Sequence, residues 1–312
     1  MRVGFMGRSA VLYNSILGIV DEGRHEVSLI WTSPEEEYDG ADVDSFRVLS
    51  ERIGCPFVIS SRAEDDCEIP SGIDVICSVN FVNLVPRRFL DRFPHGVLNA
   101  HLGDLPRFRG NACPNWAILN GEEQVGLVVH EMSEDLDAGP IYWSDSMGLT
   151  DQTYVGDVYD WMNSRVPVGF REALLGIESG EQPLPQRDVR PLRTFPRREE
   201  DSRILWNRGS VEVCRLVRAS SRPFPGAFCY LNGDDETTVR VLAAEGVELD
   251  YDILAVDGQV LFQDDDSFVV SSGNQAVRVT ECAVNGRPHA DSVDFVTSSL
   301  RNRLTSWPGR LL

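Results

Sequence analysis

Up to about residue 101, short apolar runs alternate with segments of helical spacing. No other feature constrains the fold of this chain as strongly. Val3-Gly4-Phe5-Met6 is apolar and stops at Gly7, and residues 10–22 then space Val11, Leu12, Ile16, Leu17 and Val20 along one helical face. Val27–Trp31 reads as a second strand and residues 42–53, with Val43, Phe46, Val48, Leu49 and Ile53, as a second helix. Phe57–Ile59 adds a short strand and Asp74–Val79 a fuller one. Pro86 opens a brief helix, and Val97–Asn99 is a further strand. Strands and helices in strict alternation predict an α/β fold: a Rossmann-like, mostly parallel sheet with helices on both faces. Ligands of such sheets gather outside the carboxyl ends of the strands.

The remainder divides in two. Residues 111–120 read as a helix with Trp116, Ile118 and Leu119 on its apolar side, Val125–Val129 and Ile141–Trp143 as strands, and 153–179 as helix interrupted at Pro167. Pro183, Pro185, Pro191 and Pro196 then lie among charged residues, a composition that favours an extended, semi-rigid connection. A helix over 210–220 follows. From Ala227 onward short strands are punctuated by Asn232-Gly233, Asp257-Gly258, Ser272-Gly273 and Asn285-Gly286, the pattern of a small, barrel-like (OB-like) β domain. The 312 residues are thus expected to form a catalytic-type domain over 1–180, a linker over 181–202 and a C-terminal β domain over 203–312.

Several function classes have no support. No apolar run approaches the ~20 residues that span a bilayer. The N-terminus lacks the apolar stretch and small-residue cleavage site of a secretory leader. Cysteines 55, 67, 77, 113, 214, 229 and 282 are odd in number and contain no C-x-x-C pair, which predicts reduced thiols, no structural metal and a cytoplasmic protein. A homodimer is the expected assembly, if there is one. The segment Gly4–Ser9 is not G-x-G-x-x-G, and neither a Walker A sequence, an H-E-x-x-H site nor a G-x-S-x-G elbow occurs. Asp264–Asp266 reads as a solvated turn. The formal charge is −20, and all 29 cations are arginine. An acidic surface repels nucleic-acid phosphate at low salt, although high salt screens that repulsion.

What remains is a constellation. Asn99 and His101 lie two apart, so on an extended segment they share a face, and Asp137 lies just past the strand at 125–129. Acyl transfer to an amine needs a donor for the tetrahedral oxyanion, which the Asn99 amide offers. It also needs a group that moves protons near neutral pH, which His101 offers, and a carboxylate to orient and bias that imidazole, which Asp137 offers. Each residue alone has a bland reading: His101 as a structural histidine, Asn99 as a cap, Asp137 as a turn former before Ala138-Gly139-Pro140. The joint arrangement favours the chemical one. His130 sits in an alternating strand and reads as structural.

Asn99-Ala100-His101, Leu105-Pro106-Arg107-Phe108-Arg109-Gly110, Trp116-Ala117-Ile118 and Leu136-Asp137-Ala138-Gly139-Pro140 together resemble the 10-formyltetrahydrofolate-dependent formyltransferases. The resemblance is strong over about residues 74–145, and Arg222-Pro223-Phe224-Pro225-Gly226-Ala227-Phe228 extends it to the opening of that family's C-terminal barrel. It implies Asn99, His101 and Asp137 as the catalytic trio. Folate contacts are implied at Asn83, Leu84, Val85, Asn111, Ser133, Glu134, Asp135 and Leu136, with 10-formyltetrahydrofolate as co-substrate and no metal. The stretch Arg109–Gly121 looks most like the sugar N-formyltransferases. That likeness and the acidic C-terminal domain imply a nucleotide-linked amino sugar, such as a 4-amino-4,6-dideoxyhexose, as acceptor, with no nucleic acid or membrane partner. Arg109 suits a pairing with its diphosphate and equally a loop-stabilising contact. Trp116 is assigned beside it, although it reads more as a core residue than as a ligand platform. The alternatives are a methionyl-tRNA formyltransferase and a non-catalytic module that binds folate or a sugar nucleotide.

Overall fold

The computed structural model describes residues 1–35, 38–63 and 69–309, so Cys67 lies outside the described residues. In chain order the elements are β1 (Arg2–Gly7), α1 (Ser9–Glu22), β2 (Glu26–Thr32), α2 (Val43–Ile53), β3 (Phe57–Ile59), β4 (Val75–Val79), α3 (Arg87–Leu90), β5 (Val97–His101), β6 (Arg109–Gly110), α4 (Cys113–Asn120), β7 (Gln124–Glu131), β8 (Ile141–Gly148), α5 (Val155–Ser179), β9 (Arg193–Thr194), α6 (Ser210–Ser220), β10 (Ala227–Leu231), β11 (Thr238–Val247), β12 (Val260–Asp264), β13 (Ser267–Ser272), β14 (Gln275–Val284), α7 (His289–Thr297) and β15 (Leu304–Thr305). They group into two compact units. The first comprises Met1–Cys113, Gln124–Gly148 and Val158–Phe195, the second Pro114–Glu123, Leu149–Asp157 and Pro196–Leu312.

The first unit is built on a seven-stranded sheet of order β3-β2-β1-β4-β5-β7-β8. The alternation in the sequence produces five parallel strands, β3 to β5. β7 and β8 then join antiparallel, so the sheet is mostly parallel with an antiparallel flank. The central strands are buried on both faces, as the run Val75-Ile76-Cys77-Ser78-Val79 requires, each residue being under 2% exposed. Trp31 anchors one layer of core, its ring meeting Phe89 edge-on at 5.6 Å among Met6, Leu29, Ile76 and Val97. The α2 helix starts where Asp42 accepts the Ser45 backbone N–H at 2.7 Å.

One expectation for this part of the chain is corrected. Pro167 does not interrupt its helix: α5 runs unbroken from Val155 to Ser179. A buried stripe of Val166, Phe170, Ala173 and Leu174 holds the helix on both sides of the proline, and that packing outweighs one missing backbone bond. The Pro-rich stretch is pinned at two points. Leu184 and Ile141 exchange backbone hydrogen bonds at 2.7 and 2.8 Å, and Arg193–Thr194 pairs in parallel with Arg109–Gly110.

The second unit is a curled antiparallel sheet of order β12-β13-β14-β11-β10-β15, the half-barrel expected from the closely spaced turns. Its core holds Trp206, Val213, Val217, Val241, Phe268, Val277 and Val279. The α7 helix has no counterpart in the sequence reading. It buries only Ser292, Val293 and Val296, too narrow a stripe to stand out among turn residues. Among the described residues no helix is long and apolar enough to cross a membrane, no group of His, Cys, Asp and Glu forms a metal cluster, and six cysteines are free thiols.

Candidate active site

The β5–β7 pairing builds the floor of the site. Its register sets Asn99 opposite His130 and His101 opposite Val128. Residues directly across an antiparallel ladder share a face, so Asn99, His101 and His130 all project to one side. The turn joining β7 to β8 folds back over that face and delivers Asp137, whose backbone is left-handed at φ 49. A non-glycine residue held there stores strain, a recurrent mark of functional loops.

The Asp137 carboxylate is the hub. Oδ2 accepts the Gly110 backbone N–H at 2.8 Å and faces His101 Nδ1 at 3.5 Å, while Oδ1 faces His130 Nε2 at 3.6 Å. His101 Nε2 donates to the Phe108 carbonyl at 2.7 Å. Both ring nitrogens of His101 therefore look at oxygens, an environment for an imidazolium. Burial of the ring pushes its pKa down, but the Asp137 charge and the Cys113 thiol more than offset that, and the net shift is upward. Burial likewise works against ionised Asp137. His101, His130 and the Gly110 N–H overcome it and hold the carboxyl down at about 2. His130 Nδ1 donates to the Glu131 carbonyl at 2.9 Å, and its Nε2 lies 3.3 Å from Asn99 Nδ2. The Asn99 amide thus lies against the His130 ring, beside the Asp137 carboxylate.

Two glycines are spatial requirements of this arrangement. A methyl group on Gly103 would sit 2.7 Å from His101 Nε2, displacing the ring. Gly110 has φ 111, and a methyl there would collide with the Thr194 carbonyl on β9. With Gly110 the two short strands close, and the Gly110 N–H reaches Asp137.

The structure thus brings Asn99, His101 and Asp137 together. Asn83, Leu84 and Val85 lie on the loop after β4, where Asn83 Nδ2 donates to the Ser61 carbonyl at 2.8 Å and Leu84 is 76% exposed. Ser133, Glu134, Asp135 and Leu136 form the limb leading to Asp137, with Ser133 Oγ donating to the Asp135 carbonyl at 3.0 Å. Asn111 is exposed just after β6. Arg109 Nη2 donates to Gln186 Oε1 at 2.6 Å, and its Nε is buried without a partner among the described residues. Trp116 is half-buried on α4, within the segment Pro114–Glu123 that groups with the second unit. Two further residues reach the site. His130, read from the sequence as structural, is brought beside the trio by strand register. Gln186 sits in the Pro-rich stretch, where nothing local marks it.

Residues 65–173 match the formyl transferase family and 197–300 match the formyl transferase C-terminal domain. A methionyl-tRNA formyltransferase of Rhizobium meliloti is 30% identical over 95% of this chain and 96% of its own length. One from Cutibacterium acnes is 31% identical over 78% of this chain and 80% of its own length. Among solved structures, an N-formyltransferase from Helicobacter canadensis, in complex with folinic acid and dTDP-3-aminofucose, superposes with a TM-score of 0.65 at 14% identity, covering 89% of this chain and 98% of that one. HypX from Aquifex aeolicus in complex with tetrahydrofolic acid does so at 0.63 and 21%, covering 95% of this chain and 47% of that one. At such identities these two likenesses establish the shared fold.

Proposed function

This chain belongs to the formyl transferase family, and on that premise we propose that it moves the formyl group of 10-formyltetrahydrofolate to the amine of a nucleotide-linked amino sugar, with Asn99, His101 and Asp137 as its catalytic residues. The neutral amine attacks the formyl carbon, a C–N bond forms and the carbonyl electron pair moves to oxygen. Asn99 Nδ2–H donates to that oxyanion. As the carbonyl re-forms, the bond to the folate nitrogen breaks and that nitrogen takes a proton from His101. The new amide nitrogen gives up one proton in return, so N-formyl product and tetrahydrofolate leave with the site restored. Asp137 keeps the imidazolium charged and oriented throughout. The exposed apolar Val82 and Leu84 beside Asn83 suit the flat ring of a folate, and the 133–136 limb supplies backbone groups for its polar edge.

The observation that carries the choice of acceptor is the pairing of arginines in the second unit. Arg278 is tied to Glu245 at 3.0 Å and to Asp264 at 2.6 Å, Arg218 to Asp151 at 3.4 Å, Arg222 to Glu281 and Arg240 to Glu199. Cations neutralised by their own carboxylates leave little positive field for a tRNA backbone, which a binding face must supply. A diphosphate is a smaller demand, which a single guanidinium such as that of Arg109 could meet. Initiator methionyl-tRNA stands as the second reading, favoured by the names of the full-length relatives.

The test offers purified protein and 10-formyltetrahydrofolate a panel of dTDP- and GDP-linked amino sugars and, separately, charged initiator tRNA. Formylated sugar nucleotide is the expected product. Formylation of the tRNA alone would replace this acceptor with the second reading.

A further inference from the structure

We propose that Gln186 is a positioning residue for formyl transfer, a single amide that locks the Asp137 loop and the Arg109 guanidinium into one fixed relation. Gln186 Nε2 donates to the carbonyls of Asp137 at 2.8 Å and Gly139 at 2.9 Å. Its Oε1 accepts from Arg109 Nη2 at 2.6 Å. Both N–H groups and the oxygen are used, and exchanging them would set NH₂ against a guanidinium and oxygen against two carbonyls. The amide therefore has one orientation.

The surroundings single this side chain out. Leu184, Pro185 and Arg187 beside it are exposed, whereas Gln186 turns inward. The stretch that carries it is pinned on both sides, by the Leu184–Ile141 bridge and by the β6–β9 pairing, so the amide is presented rigidly. Its two carbonyl acceptors flank Ala138, in the turn where Asp137 adopts φ 49. A left-handed aspartate needs its surroundings to hold it there. The Gly110 N–H holds the Asp137 carboxylate, and Gln186 holds its backbone. Without Gln186, two carbonyls of the turn lose their donor and the carboxylate loses its fixed distance to His101.

This proposal rests on formyl transfer through the trio and is independent of the acceptor. The test accordingly begins with a measurement that needs no acceptor: the titration of the His101 imidazole, followed by NMR in the full chain, with its resonance assigned by His101→Gln. The groups facing that ring are the Asp137 carboxylate, the Cys113 thiol, the His130 ring and the Phe108 carbonyl, and of these only the first sits on the turn that Gln186 holds. In Gln186→Ala, and in Gln186→Met, which keeps the length of the side chain without its donors, the His101 pKa should fall. On an acceptor that the wild type uses, kcat should drop about tenfold to a hundredfold while KM for the formyl donor stays within about twofold. The methionine variant preserves packing, so a failure of the alanine variant to fold leaves the reading intact. A wild-type His101 titration in both folded variants overturns the proposal. So does a fall in kcat with the titration unmoved, which would reduce Gln186 to general structural support.

Discussion

Asp137 has more to satisfy than any other residue at the site: a left-handed backbone, a buried carboxylate and an imidazole on either side. Its pKa of about 2 keeps it ionised across the working range, and the raised pKa of His101 is the other half of that pairing. The direction of the pH effect follows. With His101 proposed as the acid that protonates the leaving nitrogen, activity on the alkaline side should disappear as pH rises through its raised pKa. Asp137→Asn removes the charge that opposes desolvation, and the alkaline limb of the kcat–pH profile should move to lower pH. An unmoved limb would take Asp137 out of the tuning of His101. Asn99→Ala should lower kcat by about a hundredfold to a thousandfold with little change in KM, the signature of an interaction made only in the transition state. His101→Ala should cost about a hundredfold or more. Steady-state kinetics on the three variants checks both predictions. Much of this was legible in the sequence. The spacing of two between Asn99 and His101 encodes a shared strand face, and Asp137 is flagged by the motif around it. His130 and Gln186 were not legible. They reach the trio across 31 and 49 residues of chain, through strand register and through a strap, and such contacts leave no local pattern.

The elements show where local rules yield to packing. Alternating apolar runs foretold the parallel strands because burial on both faces demands them. The same reasoning failed at Pro167, where the proline was expected to interrupt the helix and the buried stripe carries α5 through. Pro167→Ala restores a backbone donor in mid-helix and should stabilise the protein by roughly 1–3 kcal/mol in denaturant titration. At β6 the direction reverses. Gly110→Ala forces a side chain into the Thr194 carbonyl at a backbone angle that non-glycine residues avoid. It should destabilise by about 1–3 kcal/mol. It should also lower kcat, because the N–H that anchors Asp137 belongs to the same residue. A Gly110→Ala protein with wild-type stability and rate would show that β6 and β9 separate without consequence.

At the scale of the whole molecule, charge dominates. Forty-nine carboxylates face 29 arginines and no lysine, leaving −20. The visible ion pairs do not remove this excess, and exposed pairs contribute only about 0–1 kcal/mol each. The unpaired carboxylates repel one another over a range set by salt, about 30 Å at 0.01 M and about 3 Å at 1 M. Added salt therefore has two opposing effects: it weakens the attraction within pairs such as Arg278–Glu245 and it screens the net repulsion. Pairs at short contact are screened least, whereas repulsion spread over a whole surface is screened most. Stability should therefore rise with sodium chloride between about 0.01 M and 1 M, read as a steadily increasing Tm. A falling Tm would mean that the arginine–carboxylate pairs outweigh the excess charge. The same field bears on the acceptor. A surface that gains stability when its own negative charge is screened repels a polyanion most strongly at low salt, where tRNA binding normally peaks. For the proposed diphosphate acceptor, a short-range contact to a guanidinium would survive screening, so the salt profile of turnover should track the profile of stability rather than fall steeply, as phosphate-backbone binding does.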